Sequence, residues 1–294
     1  MTTLRVVSYN IHKGRSGLGG RESLSRLRLG LYGLHPDLLL LQEVQGRNER
    51  HGMRHAQHES LAAALGMQCC YGRNAVRSLS DHGNALLSRH PICGFENEDI
   101  SGHRLEQRGL LHARLDVDGR EVHCLVVHLG LFAHGRRRQV QALVERIRRC
   151  VPAHAPMIIG GDFNDWTNRL APLFVQQLGL YEVFAVSPTG LTPRSLPLRQ
   201  GLRHGMRHLR HRLDGWVAAR PRKRGHVYDA HELGMDGLAR ATPPPRTFPA
   251  GFPWLRLDRI YQRGFAVRRA QVLHGLPWRQ LSDHAPILAE LELP

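Results

Sequence analysis

The sequence predicts an α/β layered sandwich, and three observations carry that prediction. Short apolar runs bounded by turn residues outnumber the stretches of helical periodicity. The helical stretches are interspersed among those runs. A two-residue Asp118-Gly119 turn joins two such runs, the strongest hairpin signal in the chain. A hairpin is antiparallel, so mixed sheets are expected rather than a purely parallel doubly wound one.

Each element follows in order. Residues 4–11 read as a buried strand. Apolar residues at 24, 27, 31 and 34 predict a helix over 23–34. Asp37 opens a second buried strand, Leu38-Leu39-Leu40-Leu41, that ends at Gln42-Glu43. A helix is expected over 58–65 and short strands near 67–72 and 82–88. Over 108–118 the alternation puts Leu111, Ala113, Leu115 and Val117 inward and His112, Arg114, Asp116 and Asp118 outward. The hairpin partner runs 121–129. Val140, Leu143, Val144, Ile147 and Val151 share one face of a helix over 136–151, whose arginines read as its solvated side. Met157-Ile158-Ile159 is a buried strand ending in Gly160-Gly161, and late strands are expected at 256–263, 265–273 and 286–293.

The chain has 294 residues, 41% of them hydrophobic and 22% charged, enough for a sizeable core. No window approaches about eighteen uninterrupted apolar residues, so no spanning helix is expected. The start, Met1 into Leu4-Arg5-Val6-Val7, lacks the pattern of a signal peptide. The five cysteines are odd in number, two are adjacent, and no CxxC occurs. They read as reduced thiols acting as small buried hydrophobes. The expected location is cytoplasmic, with peripheral contact to an inner membrane as an extension of that reading.

The formal net charge is +16, carried by 41 Lys and Arg of which only Lys13 and Lys223 are lysines. Such a surface attracts polyanions: nucleic acid, anionic lipid headgroups or phosphorylated substrates. Residues 187–241 stand apart as a basic insertion, with eleven Lys/Arg against four Asp/Glu, closed by Pro243-Pro244-Pro245. Within it Leu202, Met206, Leu209, Leu213, Trp216 and Val217 fall on one helical face among arginines and histidines. The stretch 202–217 thus reads either as a surface helix docked on the parent domain or as a basic arm that meets anionic membranes or phosphate backbones.

Polar residues recur at the ends of the expected strands. Asn10 ends the first and Glu43 the second. His128 ends the strand from 121, Asp162 and Asn164 end that from 156, Asp258 lies in Leu257-Asp258-Arg259-Ile260-Tyr261, and Asp283-His284 precede the last. Carboxylates converging at one sheet edge need a cation or donors. Mg²⁺ fits, because it takes oxygen ligands from one or two carboxylates and accepts phosphate oxygens. Gln-Glu alone has no weight, whereas Gly-Asp-Phe-Asn is rare, and the order of the blocks makes the set strong. The trio His51, His55 and His58 lacks partner carboxylates at a zinc spacing and reads as surface histidines.

The blocks SYNIHKG (8–14), LLLLQEV (38–44), HGNALLSRHPI (82–92), VVHLGL (126–131), GGDFNDW (160–166), LDRIY (257–261) and LSDHAPI (281–287) resemble the endonuclease/exonuclease/phosphatase superfamily. That group includes DNase I, abasic-site endonucleases, neutral sphingomyelinases and inositol polyphosphate 5-phosphatases. YGRNAV (71–76) and RTFP (246–249) are similar to a poorly characterised bacterial subgroup of it. The resemblance implies a DNase I-like four-layer sandwich, two packed mixed sheets flanked by helices, forming one catalytic domain over 1–294 around the insertion.

It also implies roles. Glu43 binds Mg²⁺ (or Mn²⁺) with Asn10 and Asp283 assisting. Asp162 orients or deprotonates the attacking water. Asn164 and His128 contact the scissile phosphate. His284 pairs with Asp258 as general base or stabiliser of phosphorane charge. Arg108 binds substrate phosphate. His12 departs from the acid or amide that many members carry there. The implied activity is phosphodiester hydrolysis, with nucleic acid ahead of phospholipid or its headgroup as substrate, then an inositol-type phosphomonoester. The opening Asn10-Ile11-His12-Lys13-Gly14 lacks the Asn-x-Asn-Gly-Leu-Arg form of abasic-site enzymes. A polyanion-binding scaffold without catalysis is the non-enzyme alternative, and no obligate protein partner is implied.

Overall fold

The structure, a computed structural model, describes residues 1–17, 20, 22–48, 56–102, 106–187 and 244–294. The basic stretch 202–217 and nearly all of 187–241 lie outside the described residues, as do His51 and His55.

Two six-stranded mixed sheets pack face to face. In the first, β1 (Thr2–Asn10) runs parallel to β2 (Leu38–Asn48). β3 (Gln68–Arg77) and β4 (Ser80–Ser88) extend it on one side, and β11 (Ala266–Val272) and β12 (Ile287–Leu293) on the other, in the order β11-β12-β1-β2-β4-β3. The second contains β5 (Ile92–Asp99), β6 (Gly109–Val117), β7 (Arg120–His128), β8 (Met157–Asp162), β9 (Tyr181–Glu182) and β10 (Asp258–Arg263), in the order β5-β6-β7-β8-β10-β9. Here β7 runs parallel to β8. Each sheet is thus built around one parallel crossover, through α1 (Leu24–Gly33) in the first and α3 (Ala133–Cys150) in the second.

The central strands are apolar on both faces because both faces are covered. Val6, Leu38 and Leu40 meet Leu111, Val126 and Ile158 between the sheets. Val7, Leu39 and Leu41 point the other way, onto α1 and α2 (Gln57–Leu65). Leu125, Val127 and Ile159 pack under α3 and α4 (Ala171–Leu178). The result is helix, sheet, sheet, helix. A short α5 (Val183–Val186) follows β9.

Several expectations need correction. β2 does not stop at Glu43 but continues to Asn48 past a register shift against β4 between Leu41 and Val44. His112 does not face solvent: it is 4% exposed beneath α3, where Arg146 lies 3.4 Å from its Nδ1. The arginines of α3 are likewise not all on a solvated side. Arg136 and Arg146 are buried, Arg136 donating to the carbonyls of Gly130 and Leu131 and Arg146 pairing with Glu96. Cys70 and Cys124 are buried as expected, but Cys93 is exposed on the edge strand β5. The Asp118-Gly119 hairpin has both residues at positive φ (52° and 82°), the backbone of a type I′ turn.

Candidate active site

Parallel strands put their C-terminal ends at one edge of a sheet, and antiparallel neighbours start there. Register therefore does much of the assembly. On the second sheet His128 is paired with Asp162, and Asp162 with Asp258, so three polar side chains stand in one row across β7, β8 and β10. The strands come close because Gly161 has no side chain: a Cβ there would sit 1.9 Å from the Val127 carbonyl oxygen. On the first sheet Asn10 ends β1, and Asp283-His284 precede β12, the strand that pairs with β1. Glu43 sits at the β2 register shift with φ 52°, so the bulge turns its side chain out of the strand's ordinary alternation. His12, Lys13 and Asn164 also have positive φ, and unusual backbone is thus concentrated around these strand ends.

Asp162 is the hub. Its Oδ1 accepts from the Asn164 backbone N–H at 3.0 Å. Its Oδ2 accepts from Asn10 Nδ2 at 3.3 Å and lies 3.5 Å from His128 Nε2 and 3.7 Å from His284 Nε2. His284 Nδ1 is 2.9 Å from Asp258 Oδ2. Two carboxylates directly opposite on paired strands repel. His284, reaching in from the other sheet, answers both.

The charges follow from these contacts. Burial opposes the imidazolium of His284, yet Asp258 above all, then Asp162 and Asp283, push its pKa up to about 10. His128 moves the other way, down to about 4, through burial and then the nearby Arg108 guanidinium. Burial raises the Asp162 pKa, with the two histidines opposing. Glu43 is also resisted by burial, but His128 and Lys13 outweigh it and bring its carboxyl down to about 2. Lys13 Nζ lies 3.2 Å from Glu43 Oε2.

Asp162, Asp258 and His284 each offer a ligand atom within 4.8 Å of one another, a cluster capable of holding a divalent metal. The buried Asp258 Oδ1 has no hydrogen-bond partner in the protein, which leaves a hard oxygen donor open. Asn10 links this cluster to Glu43, its Nδ2 lying 3.5 Å from Glu43 Oε1. Asp283 stands at the rim, 3.7 Å from His12 Nδ1. Asn164 Nδ2 is tied to the Leu129 carbonyl at 2.9 Å. Arg108 is the outlier: its guanidinium lies 3.4 Å from Glu106 and reaches the cluster through its charge on His128.

Sequence reasoning missed the groups that hold these in place. Ser282 Oγ donates to the Asn10 carbonyl at 2.7 Å, joining the start of β12 to the end of β1. Thr247 Oγ1 accepts from the backbone N–H of Asp258 at 3.3 Å, and the Phe248 ring lies 4.9 Å from that of His284. The RTFP block (246–249) was the available signal for both. Lys13 appears in the sequence only as a rare lysine in NIHKG. His58, from the histidine trio, stacks on Tyr71 at 4.3 Å.

The sequence matches the Endonuclease/Exonuclease/phosphatase family over residues 7–284. It is 32% identical over 299 residues to the uncharacterized protein YbhP of Escherichia coli (strain K12), covering 99% of this chain and 97% of YbhP. The fold is similar to that of an endonuclease/exonuclease/phosphatase from Beutenbergia cavernae DSM 12333, with a TM-score of 0.66 at 19% identity over 100% of this chain and 72% of that one. It is also similar to D. rerio TDP2 complexed with a single-strand DNA product, with a TM-score of 0.57 at 17% identity over 99% of this chain and 100% of that one.

Proposed function

The chain belongs to the endonuclease/exonuclease/phosphatase family, and from that premise we propose that it is a divalent-metal-dependent phosphodiesterase acting on nucleic acid. The observation that carries this reading is the convergence of Asn10, His128 and His284 on one carboxylate oxygen of Asp162, with Asp258 behind His284. The net charge of +16 and the single-strand DNA product held by TDP2 favour nucleic acid as the substrate class.

A bound Mg²⁺ or Mn²⁺ would supply positive charge to the phosphate oxygens and acidify a water. Glu43, with Asn10 and Asp283, is the better seat for it. The Asp162–Asp258–His284 cluster already carries its own countercharge in the His284 imidazolium. Glu43 is balanced only from the side, by a Lys13 side chain that is 38% exposed and free to swing away.

The protein groups divide the remaining work. Asp162 accepts the proton of the attacking water; burial raises its basicity toward working pH. His284, protonated between two carboxylates, cannot serve as a resting base. It places positive charge where the phosphorane develops. His128, kept neutral, donates to a phosphate oxygen, as does the Asn164 amide. Arg108 adds a flanking cation. A second reading, hydrolysis at a phospholipid headgroup, is favoured by the exposed Phe132, Phe252 and Trp254 on loops beside the same strand ends.

The test is a substrate panel of supercoiled DNA, single strands, RNA, anionic vesicles and inositol phosphates, each with and without Mg²⁺. Turnover of nucleic acid that needs Mg²⁺ supports the proposal. Turnover confined to vesicles or inositol phosphates moves it to those classes. Polyanion binding without turnover of any substrate overturns catalysis.

A further inference from the structure

A groove of about 700 Å³ opens between α3 and α4 beside the catalytic strand ends. Its near end continues directly from residues of the site. Leu131 follows His128 by three positions, and Asp165 and Trp166 come immediately after Asn164. The Trp166 indole is 45% exposed and lines this groove. Arg137, on α3, and Arg169, on the loop before α4, line it too and are exposed. Neither has an acidic partner among the described residues. The groove's own carboxylates are otherwise engaged. Asp165 accepts from the Leu170 backbone at 2.8 Å and from Thr167 Oγ1 at 3.2 Å, and Glu145 from Gln141 at 3.4 Å.

We infer that this groove is a subsite for the unpaired nucleotides flanking the scissile phosphate of a single-stranded nucleic acid, with one base stacked on Trp166 and its phosphates on Arg137 and Arg169. The inference rests on the nucleic-acid reading of the catalytic site and extends it. A π-face beside free guanidinium groups is how single strands are held without sequence preference. A duplex hides its bases from such a ring. A bilayer meets a protein as a surface and offers nothing to a concave channel walled by cations. A volume near 700 Å³ lies in the range of ligand pockets and accommodates a short stretch of strand, not a helix.

The experiment measures binding of fluorescein-labelled oligothymidylate by anisotropy in EDTA, so that no turnover is required. A duplex of equal length and phosphatidylglycerol vesicles run in parallel. Trp166→Ala is expected to weaken single-strand binding about tenfold, with Trp166→Phe recovering most of it and duplex binding changing less than twofold. Where the alanine variant fails to fold, Trp166→Leu keeps the apolar bulk without the aromatic face and should behave as alanine would. Arg137→Ala/Arg169→Ala should flatten the slope of log Kd against log salt by about one.

Wild-type affinity in a folded Trp166→Ala or Trp166→Leu variant overturns the inference, as does equal loss for duplex and single strand, or binding to vesicles and not to oligothymidylate. Cleavage of nucleic acid by the wild type together with an unaffected Trp166 variant sinks the groove and leaves the catalytic reading standing. Trp166-dependent binding with no cleavage of any nucleic acid does the reverse.

Discussion

His284 is buried between Asp258 and Asp162, at 2.9 and 3.7 Å, with its pKa pushed up to about 10 by those carboxylates. The sequence suggests that replacing it would harm activity far more than stability. Its surroundings say that both suffer, because two buried carboxylates lose their shared cation. We expect His284→Gln to lower turnover by about 10²–10⁴-fold and to destabilise the protein by ~3–5 kcal/mol, read by steady-state kinetics and urea melts. A variant with near-normal turnover would remove His284 from the chemistry. Glu43 makes a separate prediction. Glu43→Gln should weaken Mn²⁺ binding in calorimetry by tenfold or more while the melting temperature stays within a few degrees. Unchanged affinity would move the metal to the Asp162–Asp258–His284 cluster. His112, remote from these groups, reports on pH. It is packed against His123 and Arg146, and burial, then those two neighbours, push its pKa from 6.5 down to about 4. The fold holds the neutral ring, so its contribution is complete above pH 6.5 and lost as pH falls through about 4, by up to ~3 kcal/mol. His112→Gln should therefore flatten the decline of stability between those values, and a parallel decline would contradict the assignment.

Strands set the positions of the polar groups, and their legibility varied for physical reasons. β2 is readable as Leu38-Leu39-Leu40-Leu41 because both its faces are covered, so every residue is apolar. β5 is not readable, since it lies on an edge and most of its residues are exposed, leaving no alternation to detect. The buried state of His112 was hidden too: alternation says which face a residue takes but not that α3 will cover that face. The polar residues at the strand ends were legible as motifs, but their convergence depends on pairings such as Asp162 with Asp258, far apart in sequence, which local periodicity does not encode. The glycine pair after Ile159 carried a second meaning. Gly161 marks a backbone approach as well as a strand end, and Gly161→Ala should destabilise by about 3 kcal/mol or more, since its Cβ would collide with the Val127 carbonyl. A melting curve equal to wild type would show that β7 and β8 can separate without penalty.

Over the whole molecule, charge acts at long range while the cluster acts at contact. A net +16 should bring any polyanion to the surface with steep salt dependence, whatever the chemistry that follows. Affinity alone therefore does not identify the reaction. Catalysis depends on the two sheets staying in register, because Asn10 and His284 come from one and Asp162, His128 and Asp258 from the other. The most direct measurement is turnover of single-stranded and plasmid DNA by wild type and Asp162→Asn, with Mg²⁺ and with EDTA, each protein shown to be folded by its melting curve. The account predicts Mg²⁺-dependent cleavage by the wild type, abolished by EDTA and reduced at least 100-fold in Asp162→Asn. Cleavage that persists in EDTA, or that survives in the folded Asp162→Asn protein, would contradict it.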